Sequence, residues 1–513
     1  MTSYDCRAEP CYDEKNGHQL LVIDPETHFI KLLKPGEFEN WYGDKRTAAS
    51  MMSLLYNHQK DWEYPSEIHP FERLSTIGGR EQFSVLDGDY VERLSIVSER
   101  IMRYFDEHVR LYGDFDAELL ATFIIGTYFM DIFEYAPRLL IRGGTGSGKT
   151  KVLKICRDLC YRGNLTGDTT EASMFRMIDE FSITPMLDEY QDYDVATKNS
   201  IKKILKNGIM RGLTVQRAEK LDNNRTVPRS YEVFAPVIYV NQAGGKALPE
   251  EVVNRSVSIT MICRNDVTLP IKPDYKELEE IRNELYTIKW LWLSSPNIVR
   301  FDEIYEKALE ELQSLEGVEL DGERIRFSSR CRDILGTMYA VAKMCGNERA
   351  ILRYFKDMQE VNADEERDSN LGKVFAAIMD LIEKQEEYEL FKGHEYELLT
   401  KITTNSIARR YEELKSLSGE LAAYERVETR SVTNMLKDMG FRLKTASHNM
   451  SVINPIGLKV AFLNNLQRYG SKEQIEAFKH ELTVRSASKR DEAVNPMCQD
   501  SEEVNRLTRT GGD

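Results

Sequence analysis

Arg138-Leu-Leu-Ile-Arg-Gly-Gly-Thr-Gly-Ser-Gly-Lys-Thr150 decides the reading of this chain. A short apolar run, Arg138 to Ile141, enters Gly143, Gly144, Thr145, Gly146, Ser147, Gly148, Lys149 and Thr150. A helical pattern follows, with Val152, Leu153, Cys156 and Leu159 on one face. This is G-x-x-x-x-G-K-[ST] in its strand–loop–helix setting. The glycines let the backbone curl so that successive N–H groups face one anion, and the helix N-terminus adds its dipole. Lys149 is spaced to reach the outer phosphates of a nucleoside triphosphate, and the Thr150 hydroxyl to ligate Mg²⁺. A glycine-rich turn that binds nothing is the alternative. The apolar strand before the loop and the helix after it argue against that reading.

Working outward, Ile183 to Leu187 is a second apolar strand, and it runs into Asp188-Glu189. Asp188 is placed to hold Mg²⁺, and Glu189 to orient and deprotonate an attacking water. Asp192 and Asp194 read as solvated or capping residues. A third strand, Ala235 to Val240, ends in Asn241-Gln242. Asn241 either contacts the lytic water or opens a turn before Ala-Gly-Gly. Arg255 falls between a short helix and the strand Ser256 to Thr260. There it either projects toward a neighbouring subunit's nucleotide or makes a surface ion pair.

The succession GGTGSGKT (143–150), PMLDEY (185–190), VIYVNQ (237–242) and LPEEVVNRSVSITM (248–261) resembles the AAA+ ATPases of the superfamily 3 and MCM-like replicative helicases of archaeal and bacterial mobile elements. The resemblance covers residues 90–264 well and the rest weakly. It implies an α/β P-loop NTPase fold with the P-loop strand central in a parallel sheet. It also implies a homo-oligomeric, hexameric ring with ATP sites shared between subunits. Lys149, Glu189, Asn241 and Arg255 would then be catalytic, with Thr150 and Asp188 on the metal. The chain departs from the pattern in offering no second sensor arginine that can be identified.

Lys198 to Arg229 holds nine basic and two acidic residues, a local balance of +7. Its second half reads as two strands joined by Lys220-Leu-Asp-Asn-Asn-Arg225, turn chemistry at an Asn-rich tip. By the resemblance, a hairpin in this position grips DNA inside the ring. Arg217, Lys220 and Arg225 would be its contacts, through counter-ion release from phosphates. A solvated basic helix and hairpin is the plainer reading.

Further on, residues 372–385, 404–417 and 429–439 read as amphipathic helices, the second capped by Thr404. The third has Val432, Met435, Leu436 and Met439 at helical spacing, and Gly440 ends it. A hairpin of 441–445 and 449–453 follows. Three helices and a hairpin resemble a winged helix. It would expose Arg430, Asn434 and Lys437 on the third helix, and Arg442, Lys444 and His448 on the wing. With nine basic and six acidic residues over 401–445, a packing role competes closely with DNA binding.

The whole chain sets bounds on these readings. Its 513 residues carry 69 Lys plus Arg against 84 Asp plus Glu, a net charge of −15, and 41% are hydrophobic. That excludes wholesale disorder and a globally basic nucleic-acid coat, though not a local basic patch. Eight cysteines are too few for a disulfide framework, and Cys156 and Cys160 read as core thiols. The N-terminus has no basic-then-apolar leader. The most apolar window, 117–133, is too short and too polar to span a bilayer. A cytoplasmic protein with no membrane partner is expected.

The expected organisation begins with an N-terminal domain of unassigned role at 1–88 and a helical lead-in at 89–134. The ATPase core is expected at 135–268, and a helical region with an acidic linker (360–370) at 269–371. A winged-helix-like domain at 372–455 precedes a helical segment and polar tail at 456–513. The leading expectation is an ATP-driven DNA translocase or helicase acting on single-stranded or forked DNA. Two alternatives stand beside it: an AAA+ switch or loader that assembles with ATP without unwinding, and a DNA-binding initiator whose ATPase sets only its oligomeric state.

Overall fold

A computed structural model describes residues 8–13, 17–23, 30–33, 37, 75–77, 80–82, 89–166, 170–188, 195–220, 226–242, 250–253, 255–262, 269–270, 272–293, 297–314, 317–385, 395–421, 426–447 and 450–477. The chain divides into two units, Met1–Asp357 and Met358–Asp513. The first unit opens with an antiparallel sheet of β1 (Ala8–Asp13), β2 (Gly17–Ile23) and β3 (Ile30–Leu33). The turn chemistry around Pro25 marks the last two strands in the sequence, whereas charge and Pro10 conceal the first. A hairpin of β4 (Ser75–Ile77) and β5 (Arg80–Gln82) follows.

Helices α1 (Asp89–His108) and α2 (Asp116–Thr127) come next. The sequence pattern predicts that the second runs to Phe133, but it stops at Thr127, and a 3₁₀ turn (Met130–Ile132) takes over. The Thr127 hydroxyl donates to the Ile124 carbonyl at 2.6 Å and accepts from the Tyr161 N–H at 2.9 Å. A side chain that bonds to backbone in this way competes with helix continuation.

The next elements alternate: β6 (Arg138–Gly143), α3 (Lys149–Leu159), β7 (Gly163–Thr166), α4 (Glu171–Phe181), β8 (Thr184–Leu187) and α5 (Val195–Asn207). A hairpin of β9 (Thr214–Lys220) and β10 (Thr226–Glu232) interrupts them before β11 (Val237–Gln242), α6 (Glu250–Val253) and β12 (Val257–Met261). The sheet is five-stranded and wholly parallel, in the order β12-β6-β11-β8-β7. Strands covered on both faces need apolar side chains on both, which is why Leu139–Ile141 of β6 and Pro185–Leu187 of β8 are apolar without alternation. The resemblance implies that the loop-bearing strand β6 is central; it is the second of five, next to the edge strand β12, and β11 takes the centre because it pairs with both β6 and β8. Cys156 and Cys160 are buried free thiols.

The first unit is completed by α7 (Tyr275–Leu293), α8 (Asn297–Gln313), the short pair β13 (Val318–Leu320) and β14 (Glu323–Ile325), and α9 (Ser329–Cys345). Asn347, just after α9, donates through Nδ2 to Ser98 of α1 at 2.9 Å and Thr122 of α2 at 3.3 Å. This buried polar knot fixes the lead-in helices to the far end of the unit. Helix α10 (Glu348–Asp368) then carries the chain across the division between units. The acidic run expected to be a linker is helical through Asp368. Its Glu, Arg and Ala are good helix formers, and Asp364 pairs with Arg367 at i,i+3.

The second unit holds α11 (Asn370–Glu383), a 3₁₀ turn (Glu395–Lys401), α12 (Thr404–Leu417), α13 (Thr429–Asp438), the hairpin β15 (Leu443–Ser447) with β16 (Met450–Ile453), α14 (Leu458–Tyr469) and α15 (Lys472–Ala477). Thr403, not Thr404, caps α12: its hydroxyl accepts from the Ser406 N–H at 3.1 Å, while Thr404 is buried. Gly440, at φ +84°, ends α13. No helix among the described residues is long and apolar enough to cross a membrane.

A buried charge pair ties the N-terminal sheet to the parallel one. Glu9 of β1, 2% exposed, lies 2.8 Å from an Arg162 Nη and accepts from the Tyr161 hydroxyl. Arg162, just before β7, also donates to the Phe181 carbonyl at 2.6 Å. Removing one partner of such a pair leaves an uncompensated charge. Arg162→Met is therefore expected to cost about 3–5 kcal/mol in chemical denaturation. Adding Glu9→Leu to that variant should recover much of the loss, and a double variant no more stable than the single one would assign the loss to packing instead.

Candidate functional site

Parallel pairing places the carboxyl ends of all five strands along one edge of the sheet, the edge at which open α/β sheets receive ligands. The loop after β6 sits there. Gly146 and Gly148 have φ of +77° and +93°, a region L side chains rarely adopt. Gly148 is the residue from which α3 starts. A Cβ on Gly143 would stand 2.5 Å from the Met261 carbonyl oxygen and 2.6 Å from Ser147 Oγ, whereas one on Gly144 would meet nothing within 4 Å. The loop glycines thus answer different demands, two conformational and one steric.

Lys149 Nζ donates to the carbonyls of Gly143 at 2.9 Å and Gly144 at 2.6 Å. Its ammonium is held over the mouth of the loop, at the positive end of the α3 dipole. Ser147 is buried, and its Oγ has no hydrogen-bond partner. Thr150, the second residue of α3, is exposed. The exposed residues 144–146 and 148, the fixed ammonium and the Thr150 hydroxyl form a cradle suited to a polyphosphate.

Asp188 follows β8 directly and is half-buried, while Glu189 lies outside the described residues. Asn241 is half-buried near the end of β11, opposite Arg142 of β6. On its other side β11 pairs with β8 through Tyr239 and Leu187. The strand bearing Asn241 therefore runs between the loop strand and the acid strand, which lie two strand spacings, roughly 10 Å, apart. Among the described residues no group of three or more His, Cys, Asp or Glu could hold a metal ion. The Thr150 hydroxyl and Asp188 carboxylate are hard oxygen donors. They fit Mg²⁺, which takes few protein ligands and completes its shell with phosphate and water.

Arg255 lies at the other edge. Its backbone N–H bonds the Val252 carbonyl at 3.2 Å, and it precedes β12, whose first residue, Val257, pairs with Leu139. The length of β6 separates the two edges by roughly 16 Å, so Arg255 does not share the loop's surroundings within one protomer.

The hairpin stands on α4. Phe175 packs at a tilt against Tyr231 with centroids 4.4 Å apart, the Glu232 N–H donates to Asp179 at 2.7 Å, and Arg229 approaches the same carboxylate at 3.7 Å. Arg217 lies over the Phe175 ring at 5.7 Å. Lys220 ends β9 opposite Thr226, and the tip at 221–225, with Arg225, lies outside the described residues. In the second unit Arg430, Asn434 and Lys437 are exposed on one stripe of α13, with Val432 and Leu436 buried behind them. Arg442 and Lys444 are exposed at the start of the hairpin, and His448 lies outside the described residues. Sequence reasoning missed Arg138. It opens β6 and is 1% exposed, and its only sequence signal is a lone arginine at the head of an apolar run.

No family model matches the chain, and no curated protein does. Among solved structures it is similar to the apo A form of the NrS-1 C-terminal region, at a TM-score of 0.30 and 10% identity over 87% of this chain and 96% of that one. It is similar also to SCCmec type IV Cch, described as an active helicase, at a TM-score of 0.32 and 12% identity over 93% of this chain and 89% of that one. At this distance the function rests on the residues themselves. Gly143→Ala is expected to weaken binding of a fluorescent ATP analogue about tenfold, because the loop must shift to clear the new methyl. Gly144→Ala should bind like wild type, and equal losses in both would contradict the packing given for Gly143.

Proposed function

We propose that this chain is an ATP-hydrolysing, ring-forming DNA translocase or helicase, of the kind that replicates a mobile element. The observation that carries the reading is the placement of β11. It sets Asn241 between the phosphate loop and the strand leading to Asp188. Loop N–H groups and Lys149 bind the outer phosphates of ATP. Thr150 and Asp188 hold Mg²⁺, which supplies charge neutralisation on the phosphate oxygens. Glu189 takes the proton of the attacking water, and Asn241 orients that water in line with the bond to ADP. Arg255, at the far edge of the sheet, serves the nucleotide of an adjacent copy, which makes the active unit an oligomer, a ring of six.

Coupling to DNA runs through the hairpin. Helix α4 supports the hairpin's base and, after Ser182, leads straight into β8 and Asp188. A shift at the acid strand is therefore passed to Lys220 and Arg225. The second unit, read as a winged helix, offers Arg430, Lys437, Arg442 and Lys444 as a further phosphate-contacting face.

Two experiments test this. Lys149→Ala and Arg255→Ala proteins should each be nearly devoid of ATPase activity, and mixing them should restore part of it, because a mixed junction pairs an intact loop with an intact arginine. No recovery at any ratio would remove the trans role. Lys220→Ala with Arg225→Ala should reduce the slope of log affinity for single-stranded DNA against log salt by about 1.4, two contacts at about 0.7 each. An unchanged slope would take the hairpin off the DNA.

A further inference from the structure

We propose that the amino-terminal edge of the parallel sheet carries a second oxyanion site, in which Arg138 and Arg255 hold a phosphate group with Lys202 and Lys206 at its mouth. All four side chains line one pocket, together with three aliphatic residues; an acid outside that lining, Asp333, faces Arg255 and not Arg138. Arg138 comes from the first position of β6, the lysines from α5 one turn apart, and Arg255 from the turn after α6.

Arg138 is the telling group. It is 1% exposed, and none of its three side-chain nitrogens has a hydrogen-bond partner. A guanidinium has five N–H donors in a rigid fork and no neutral form to fall back on. A buried one without acceptors is costly unless an anion completes it. The nearest phenol offers no relief, since the Tyr239 hydroxyl is engaged by the Val252 carbonyl and Ser256. Burial, together with the like charge of Arg255, brings Arg138 down to about 10, against the opposing pull of Tyr239. Two guanidinium forks with two ammonium groups match a doubly charged tetrahedral oxyanion better than a halide. A pocket with four cations is also a local exception in a chain of net charge −15.

The phosphate comes either from free solution or from a nucleotide bound to a second copy. Only the latter source rests on the assembly proposed above. The test reads the melting temperature of full-length Lys149→Ala protein, in which any residual anion binding at the loop is common to all samples. Millimolar inorganic phosphate should raise the melting temperature by about 3 °C. Adding Arg138→Met should abolish the rise, and should itself stabilise the protein in phosphate-free buffer by removing an unpaired buried charge. If Arg138→Met does not fold, Lys202→Ala with Arg255→Gln should likewise abolish the rise.

A second arm adds a non-hydrolysable ATP analogue and an unlabelled Arg138→Met copy, whose loop is intact, to dye-labelled Lys149→Ala protein. A rise with phosphate alone assigns the site to the free ion. A rise only in the second arm, lost when the labelled protein also carries Arg138→Met, assigns it to a neighbour's nucleotide. No Arg138-dependent rise in either arm overturns the site. Since ATP turnover is read in neither arm, failure of the translocase reading leaves the first arm intact.

Discussion

Strand β11 is hydrogen-bonded on one side to β6 and on the other to β8, and the layout of the candidate site depends on that double pairing. Asn241 lies opposite Arg142, and Tyr239 opposite Leu187. A slip of one residue in either ladder would turn Asn241 to the other face of the sheet. Register is held by burial, because Ile238, Tyr239 and Val240 are all at most 1% exposed and fit only one way round. The glycines of the loop matter only because this sheet presents them: curled backbone without a strand behind it and a helix ahead of it would not hold its N–H groups together.

The same core also carries the base of the hairpin. Phe175, Ile178 and Phe181 of α4 share one hydrophobic cluster with Leu187 of β8, Ile201 and Leu205 of α5, and Val215 and Tyr231 of the hairpin. Close-packed interiors transmit displacement rather than absorb it. The left-handed Ser182, at φ +51°, joins α4 to β8 with hardly any slack. The hairpin and the acid strand are thus two ends of one packed body, while the two edges of the sheet keep their charged groups apart.

What could be read in the sequence was what local chemistry dictates. The loop at 143–150, the strand before it, the acid pair and the basic run each carry their signal within a few residues, while the parallel sheet is what the resemblance of those motifs implies. Long-range placement was less legible. Arg138 looks like an ordinary polar residue at the head of a strand until the sheet closes over it. Glu9 looks like part of an acidic tail until Arg162, about 150 positions on, meets it. The acidic run after Glu360 reads as a spacer by charge and as a helix by propensity, and propensity prevailed. Thr127 stops a helix through two hydrogen bonds, one to a residue over thirty positions away.

The placement of Glu9 bears on how the molecule can be dissected. Its carboxylate fills a position beside β7 that no residue of the 135–268 stretch supplies. A fragment begun at the lead-in helices would leave the buried Arg162 guanidinium with the Phe181 carbonyl but without its carboxylate partner. Such a piece would be less stable however complete its loop motif, so β1 belongs to the same folding unit as the parallel sheet.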